Sequence, residues 1–108
     1  MNYILNIKPL SVNQAFKGKR FKTDQYNDFI YKMNCILPNN VFIPNPNKIR
    51  LAVEFGFSSK ASDIDNCLKT FIDCLVKKYK VDDRYIYELH VFKTIVKKGS
   101  EFIKFKIY

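Results

Sequence analysis

The stretch IRLAVEFGFSSKASDIDNCLKTFIDCLVKKY, residues 49–79, decides the fold. In its first part Ile49, Leu51, Val53, Phe55 and Phe57 alternate with residues that include Arg50 and Glu54. Side chains on a strand project to opposite faces in turn, so this period of two predicts a β-strand with one buried face. Beyond residues 58–62 the period changes. Leu68, Phe71, Ile72, Leu75 and Tyr79 recur at helical spacing, which predicts an amphipathic helix over about 65–78.

Working outward, Asp82-Asp83 marks a turn into a β-rich run over 85–96. Lys97-Lys98-Gly99-Ser100 reads as a hairpin turn into a last strand with Ile103, Phe105 and Ile107 on one face. On the other side, the Asn/Pro-rich PNNVFIPNPN (38–47) is a loop. Before it, Tyr26, Phe29, Ile30, Met33 and Leu37 predict a second amphipathic helix. Thr23 is its N-cap, Asp24 lies in its first turn, and Pro38 stops it. Residues 11–22 form a polar, basic segment with Gly18 as a turn. Tyr3, Leu5 and Ile7 form a half-buried first strand that Pro9 ends. The order is β-α-β-α-β-β, an α+β fold with two helices packed on one face of a small mixed sheet. With 108 residues, the expectation is a single domain over 1–108.

A composition of 47% hydrophobic and 27% charged residues, with few Gly and Pro, excludes a disordered or fibrous chain. No apolar run exceeds three residues, whereas a membrane span needs about 20, so no membrane association is expected. No signal peptide is visible in MNYILNIK. Cys35, Cys67 and Cys74 form no Cys-x-x-Cys pair and read as buried thiols in a reducing, cytoplasmic compartment. The net charge of +9 favours a polyanionic partner, nucleic acid first. Against that background, Asp63, Asp65, Asp73, Asp82 and Asp83 are half of the ten acids.

Such a cluster in a basic protein calls for a reason. In an extended segment Asp63 and Asp65 would face one point, and Asp82-Asp83 would join them if the following strand lay beside or near 49–57. Hard divalent cations take oxygen ligands, and a metal ion would relieve the mutual repulsion of the carboxylates. The bland alternatives are helix caps for Asp63 or Asp65 and ordinary turn chemistry for Asp82-Asp83. Lys69, four residues after Asp65, reads either as an i,i+4 ion pair or as a cation that faces a phosphate. Lys17, Lys19, Arg20 and Lys22, interleaved with Phe16 and Phe21, suit phosphate-backbone contacts. His90, the single histidine, reads as structural. No Ser-His-Asp or Cys-His set, zinc spacing or Gly-rich phosphate loop is present.

These motifs together resemble the RusA family of Holliday junction resolvases, small Mg²⁺-dependent endodeoxyribonucleases of bacteria, prophages and phages. Pro9-Leu10-Ser11-Val12-Asn13, then Gly18, Arg20 and Thr23, is similar to that family's opening pattern. The core signature is Asp63-x-Asp65-Asn66-x-x-Lys69, then Asp73, then Asp82-Asp83, then Ile86-Tyr87-Glu88-Leu89-x-Val91. The resemblance implies that Asp63, Asp65 and Asp83 are catalytic metal ligands and Lys69 the catalytic lysine. It implies Mg²⁺ as cofactor, with Mn²⁺ a possible substitute, and a four-way DNA junction as substrate. The DNA-binding residues expected are Asn13, Lys17, Lys19, Arg20, Lys22 and Lys60. Paired cuts call for a homodimer, and the aromatic-rich C-terminal strands are its expected interface, with Lys104 and Lys106 at the rim. The alternative is a non-catalytic basic module that binds nucleic acid.

Overall fold

The computed structural model describes residues 2–17 and 21–108. In chain order the elements are β1 (Tyr3–Leu5), α1 (Val12–Ala15), β2 (Phe16–Lys17), β3 (Phe21–Lys22) and α2 (Asp24–Ile36). Then follow β4 (Ile49–Phe57), α3 (Leu68–Tyr79), a 3-10 turn (Asp83–Tyr85), β5 (Ile86–Ile95) and β6 (Phe102–Ile107). The expected β-α-β-α-β-β order is carried by β1, α2, β4, α3, β5 and β6. To it the structure adds α1 and a small antiparallel ribbon, β2 with β3, inside the segment read as a basic loop. Gly18, read as the turn of that segment, lies outside the described residues, as do Lys19 and Arg20.

The main sheet runs β1-β6-β4-β5. β4 pairs in parallel with β5, from Ile49↔Ile86 to Phe57↔Ile95, and antiparallel with β6, from Leu51↔Ile107 to Gly56↔Phe102. The hairpin expected at 97–100 is therefore corrected. There is a turn there, with Gly99 at φ 96°, but it joins strands that are not neighbours. Because β5 runs parallel to β4, the chain steps over the end of β4 and returns on its far side. There Phe105 and Ile103 meet the free edge of β4 and accept β1 beyond. β1 is also shorter than expected. The Ile7 amide bonds the Leu5 carbonyl at 3.0 Å, a tight turn that ends the strand before Ile7.

The alternation in β4 does what its period demands. Ile49, Leu51, Val53, Phe55 and Phe57 are buried, and Arg50 is exposed. On that buried face Phe71 of α3 meets the rings of Phe55 and Phe105 edge-on, with centroids 6.1 and 5.4 Å apart. Tyr26, Phe29 and Met33 of α2 complete the same core. Each such side chain contributes about 1.5–3 kcal/mol by leaving water. α2 begins where Thr23 accepts the Tyr26 amide at 3.2 Å, as the sequence predicts, and its chain leaves the helix at Leu37. α3 begins at Leu68 with Cys67 as N-cap and no side-chain cap, so neither Asp63 nor Asp65 caps it.

Cys67 and Cys74 are buried, and burial pushes both thiols up to about 12. Cys35 is exposed, against expectation. It follows Met33 by two on α2, so it turns away from the stripe that meets the core. Among the described residues no helix is long and apolar enough to cross a membrane.

Candidate active site

Three tethers shape the acid-bearing segment between β4 and α3. The Val12 amide of α1 donates to the Asn66 carbonyl at 2.8 Å, and the Asn66 side chain donates to Asp63 Oδ2 at 3.1 Å. Thr70, fully buried, donates its hydroxyl to the Leu10 carbonyl at 2.6 Å and lies 2.9 Å from the Cys67 carbonyl. The N-terminal motif around Ser11 is thus fastened to the Asp63–Asn66 motif by backbone groups. The third tether is Lys93, whose ammonium donates to the Lys60 carbonyl at 3.0 Å and to the Ser62 carbonyl.

Backbone bonds from Asn66 to the Asp63 carbonyl (3.4 Å) and from Leu68 to the Asp65 carbonyl (3.2 Å) make this segment a run of turns. It is not extended, so the rule that residues two apart share a side does not apply. Asp65 lines a depression of about 270 Å³ with Leu68, Lys69, Ile72, Asp73 and Asp83. Asp63 lines a different one, of about 380 Å³, with Lys8, Ser11, Ser59, Ser62 and Asn66 among its neighbours.

The first depression follows one stripe of α3. Leu68, Lys69, Ile72 and Asp73 fall at helical i, i+1, i+4 and i+5 spacing on α3, and Asp65 reaches the depression from the turns just before it. Asp83 reaches it from the 3-10 turn. β5 lies directly beside β4, the neighbour relation on which convergence depended. The convergence is along α3 rather than at one end of the sheet. Segment 58–67 leaves β4 at the Phe57↔Ile95 end, while Asp83 precedes the opposite end, Ile49↔Ile86.

The two acids of the Asp82-Asp83 pair have separate environments. Asp82 caps the 3-10 turn, accepting the Arg84 amide at 3.1 Å, and its carboxylate pairs with Arg84 Nε at 2.8 Å. Asp83 opens the turn and faces the depression. Lys69 is exposed and makes no ion pair with Asp65 among the described residues. Asp73, not among the expected site residues, stands four positions past Lys69, and that spacing was its signal. It accepts a hydrogen bond from the Tyr26 hydroxyl at 3.3 Å; burial, with the charge of Asp73 second, pushes that hydroxyl up to about 12.

The lining carboxylates are the hard oxygen donors that Mg²⁺ or Mn²⁺ prefers. Among the described residues no three Asp, Glu, His or Cys groups stand close enough together to hold a metal ion. Of the expected DNA contacts, Asn13 is exposed on α1 and Lys60 at the head of the turn run. Lys17 falls on β2, and Lys22 on β3 holds its ammonium 5.2 Å from the centre of the Tyr26 ring. His90 is exposed on the open face of the sheet, 3.3 Å from Glu88 and stacked on Tyr108.

Carboxylates and a lysine in one depression of a strongly basic α+β protein accord with the class that the sequence comparison defines, the endodeoxyribonucleases. The family described as endodeoxyribonuclease RusA matches residues 11–106, from α1 into β6. The chain belongs to the RusA family. Among curated proteins, none matches the sequence significantly.

Proposed function

We propose that this protein resolves four-way (Holliday) DNA junctions by paired, Mg²⁺-dependent phosphodiester hydrolysis. The observation that carries the reading is the shared depression of Asp65, Lys69 and Asp83 within the span of the family match. Asp65 and Asp83, which share the depression, would hold the cation with water at its other positions. Asp63, which lines a different depression, would complete the set only by turning toward them; Mn²⁺ would substitute for Mg²⁺. When bound, the ion supplies Lewis-acid polarisation of the scissile phosphate and a more acidic water. The Lys69 ammonium, on the rim of the depression, balances charge that develops on the phosphate. Asp82 takes no part, because its carboxylate is committed to Arg84.

Asn13, Lys17, Lys19, Arg20, Lys22 and Lys60 bind the phosphate backbone and read the junction's shape rather than its sequence. Two symmetric cuts need two sites, so the working form is a homodimer. The exposure of Tyr87, Leu89, Phe92 and Ile95 on the edge strand β5 supports that strand as the interface. β6 has neighbours on both edges and offers only its open face, which carries Lys104 and Lys106. The setting is the cytoplasm of a bacterial cell, with the gene in the host or in a phage.

A nicking assay on a synthetic junction tests this reading. Wild type should cut both strands with Mg²⁺ and neither with EDTA. Asp65→Asn and Asp83→Asn should abolish cutting and leave junction binding intact or tighter, while Asp82→Asn keeps it. Binding without cutting in Mg²⁺ would favour the non-catalytic module instead.

A further inference from the structure

On the helix-side face of β5 the chain reads Ile86, Leu89, Val91, Lys93, Ile95, with the register shift beside Ile49 placing Ile86 rather than Tyr87 in that row. Four apolar residues and one lysine share that row. Lys93 pairs with Phe55 in the parallel register with β4, which places it close to where segment 58–67 leaves the sheet. Its ammonium has no carboxylate partner within ion-pair distance among the described residues. It turns instead to two backbone carbonyls, those of Lys60 and Ser62. An ammonium offers three donors and no acceptor, and its bonds to carbonyls are charge-assisted. Carbonyls two residues apart converge on one nitrogen only when the chain between them is curled. The residue that follows is Asp63.

We propose that Lys93 is a positioning residue that clamps the 60–62 curl and so sets the direction in which Asp63 and Asp65 leave it. The other end of the same segment is fixed by Val12 and Asn66, so the two acids lie between two anchors from distant parts of the chain. This inference rests on the metal-dependent reading above for its catalytic consequence, but the clamp itself is a property of the protein alone.

The variants are Lys93→Met, which keeps the stem and removes the charge, and Lys93→Arg, which keeps the donors. Lys93 is exposed, so both should fold. Amide hydrogen exchange of the metal-free protein is the first readout. The Ser62, Asn66 and Leu68 amides, bonded within the segment, should exchange at least 10-fold faster in Lys93→Met, with α2 and β6 unchanged and Lys93→Arg near wild type. Unchanged exchange at those amides would overturn the clamp. Mn²⁺ binding followed by electron paramagnetic resonance, and the Mg²⁺ concentration for half-maximal cutting, form the second readout. Both should weaken at least 5-fold in Lys93→Met, with junction affinity in EDTA unchanged. A loss of that affinity, with a flatter salt dependence, would make Lys93 a phosphate contact and overturn the positioning role. A wild type that never cuts would count against the junction-resolving reading alone, and the exchange rates would still decide the clamp.

Discussion

Replacing Thr70 with valine removes one hydrogen-bond donor from the centre of the protein at nearly constant volume. Thr70 is fully buried, and its hydroxyl sits 2.6 Å from the Leu10 carbonyl and 2.9 Å from the Cys67 carbonyl. The Cys67 carbonyl keeps a second donor, the Phe71 amide at 3.2 Å, so the group left behind is the carbonyl of the buried Leu10. An orphaned buried acceptor costs about 1–3 kcal/mol. At a urea slope of about 1–3 kcal/mol/M, the midpoint should fall by roughly 1 M with no change in slope. Thr70→Ser keeps the hydroxyl and loses one methyl, at about 1 kcal/mol, and should sit between wild type and valine. Urea titrations followed by circular dichroism give all three midpoints. A valine variant as stable as wild type, or more stable than serine, would refute the view that this bond fastens the N-terminal motif to α3.

Burial holds the Cys67, Cys74 and Tyr79 side chains protonated up to about 12, and Tyr26 likewise. A group that binds its proton more tightly when folded stabilises fully below its unfolded pKa, so stability should be full below about pH 9 and fall as pH rises to about 12. Thermal melts that stay level from pH about 8 to about 11 would contradict this. At Gly56 an added Cβ would lie 2.4 Å from two ring carbons of Phe102, so Gly56→Ala should cost about 1–3 kcal/mol. The cost should vanish in a Phe102→Ala background, and equal costs in both would show the ring is not the cause. Lys80 ends α3 with φ 57°, a conformation that costs a side-chain-bearing residue about 1 kcal/mol, so Lys80→Gly should raise the melting temperature by about 4 °C. A lower melting temperature would refute it.

The elements legible in the sequence were those whose own residues carry the pattern. β4 could be read from its alternation and α2 from Thr23 and the spacing of Tyr26, Phe29 and Met33, because burial acts along one element at a time. The partner of β6 could not be read in that way. Lys97 to Ser100 suits a turn whether the next strand lies beside β5 or beyond β4. What decides is the edge of β4 left free by parallel pairing with β5, a property of the assembled sheet. At the candidate site, the grouping of Asp65, Lys69 and Asp83 around one depression was legible from spacing and resemblance. The separation of Asp63 from Asp65 was not, since it follows from backbone turns held by Asn66 and Lys93. Cys35 shows the same limit. A cysteine's burial depends on which side of α2 meets the core, not on its chemistry.

The place of β6 in the sheet also governs the order in which the protein can be made. It follows every other element along the chain, yet it lies between β1 and β4 and brings Ile103 and Phe105 to the core. A nascent chain that has emerged only as far as β5 holds β1 and β4 with no strand to join them, and Phe71 without the ring of Phe105. Contacts this far apart in sequence must wait for the intervening loop to close. β4 and β5 can pair before then, but the joining of β1 to β4 is withheld until residues 102–107 are free to pair between them. Until then the β4 edge is open to any other extended chain nearby.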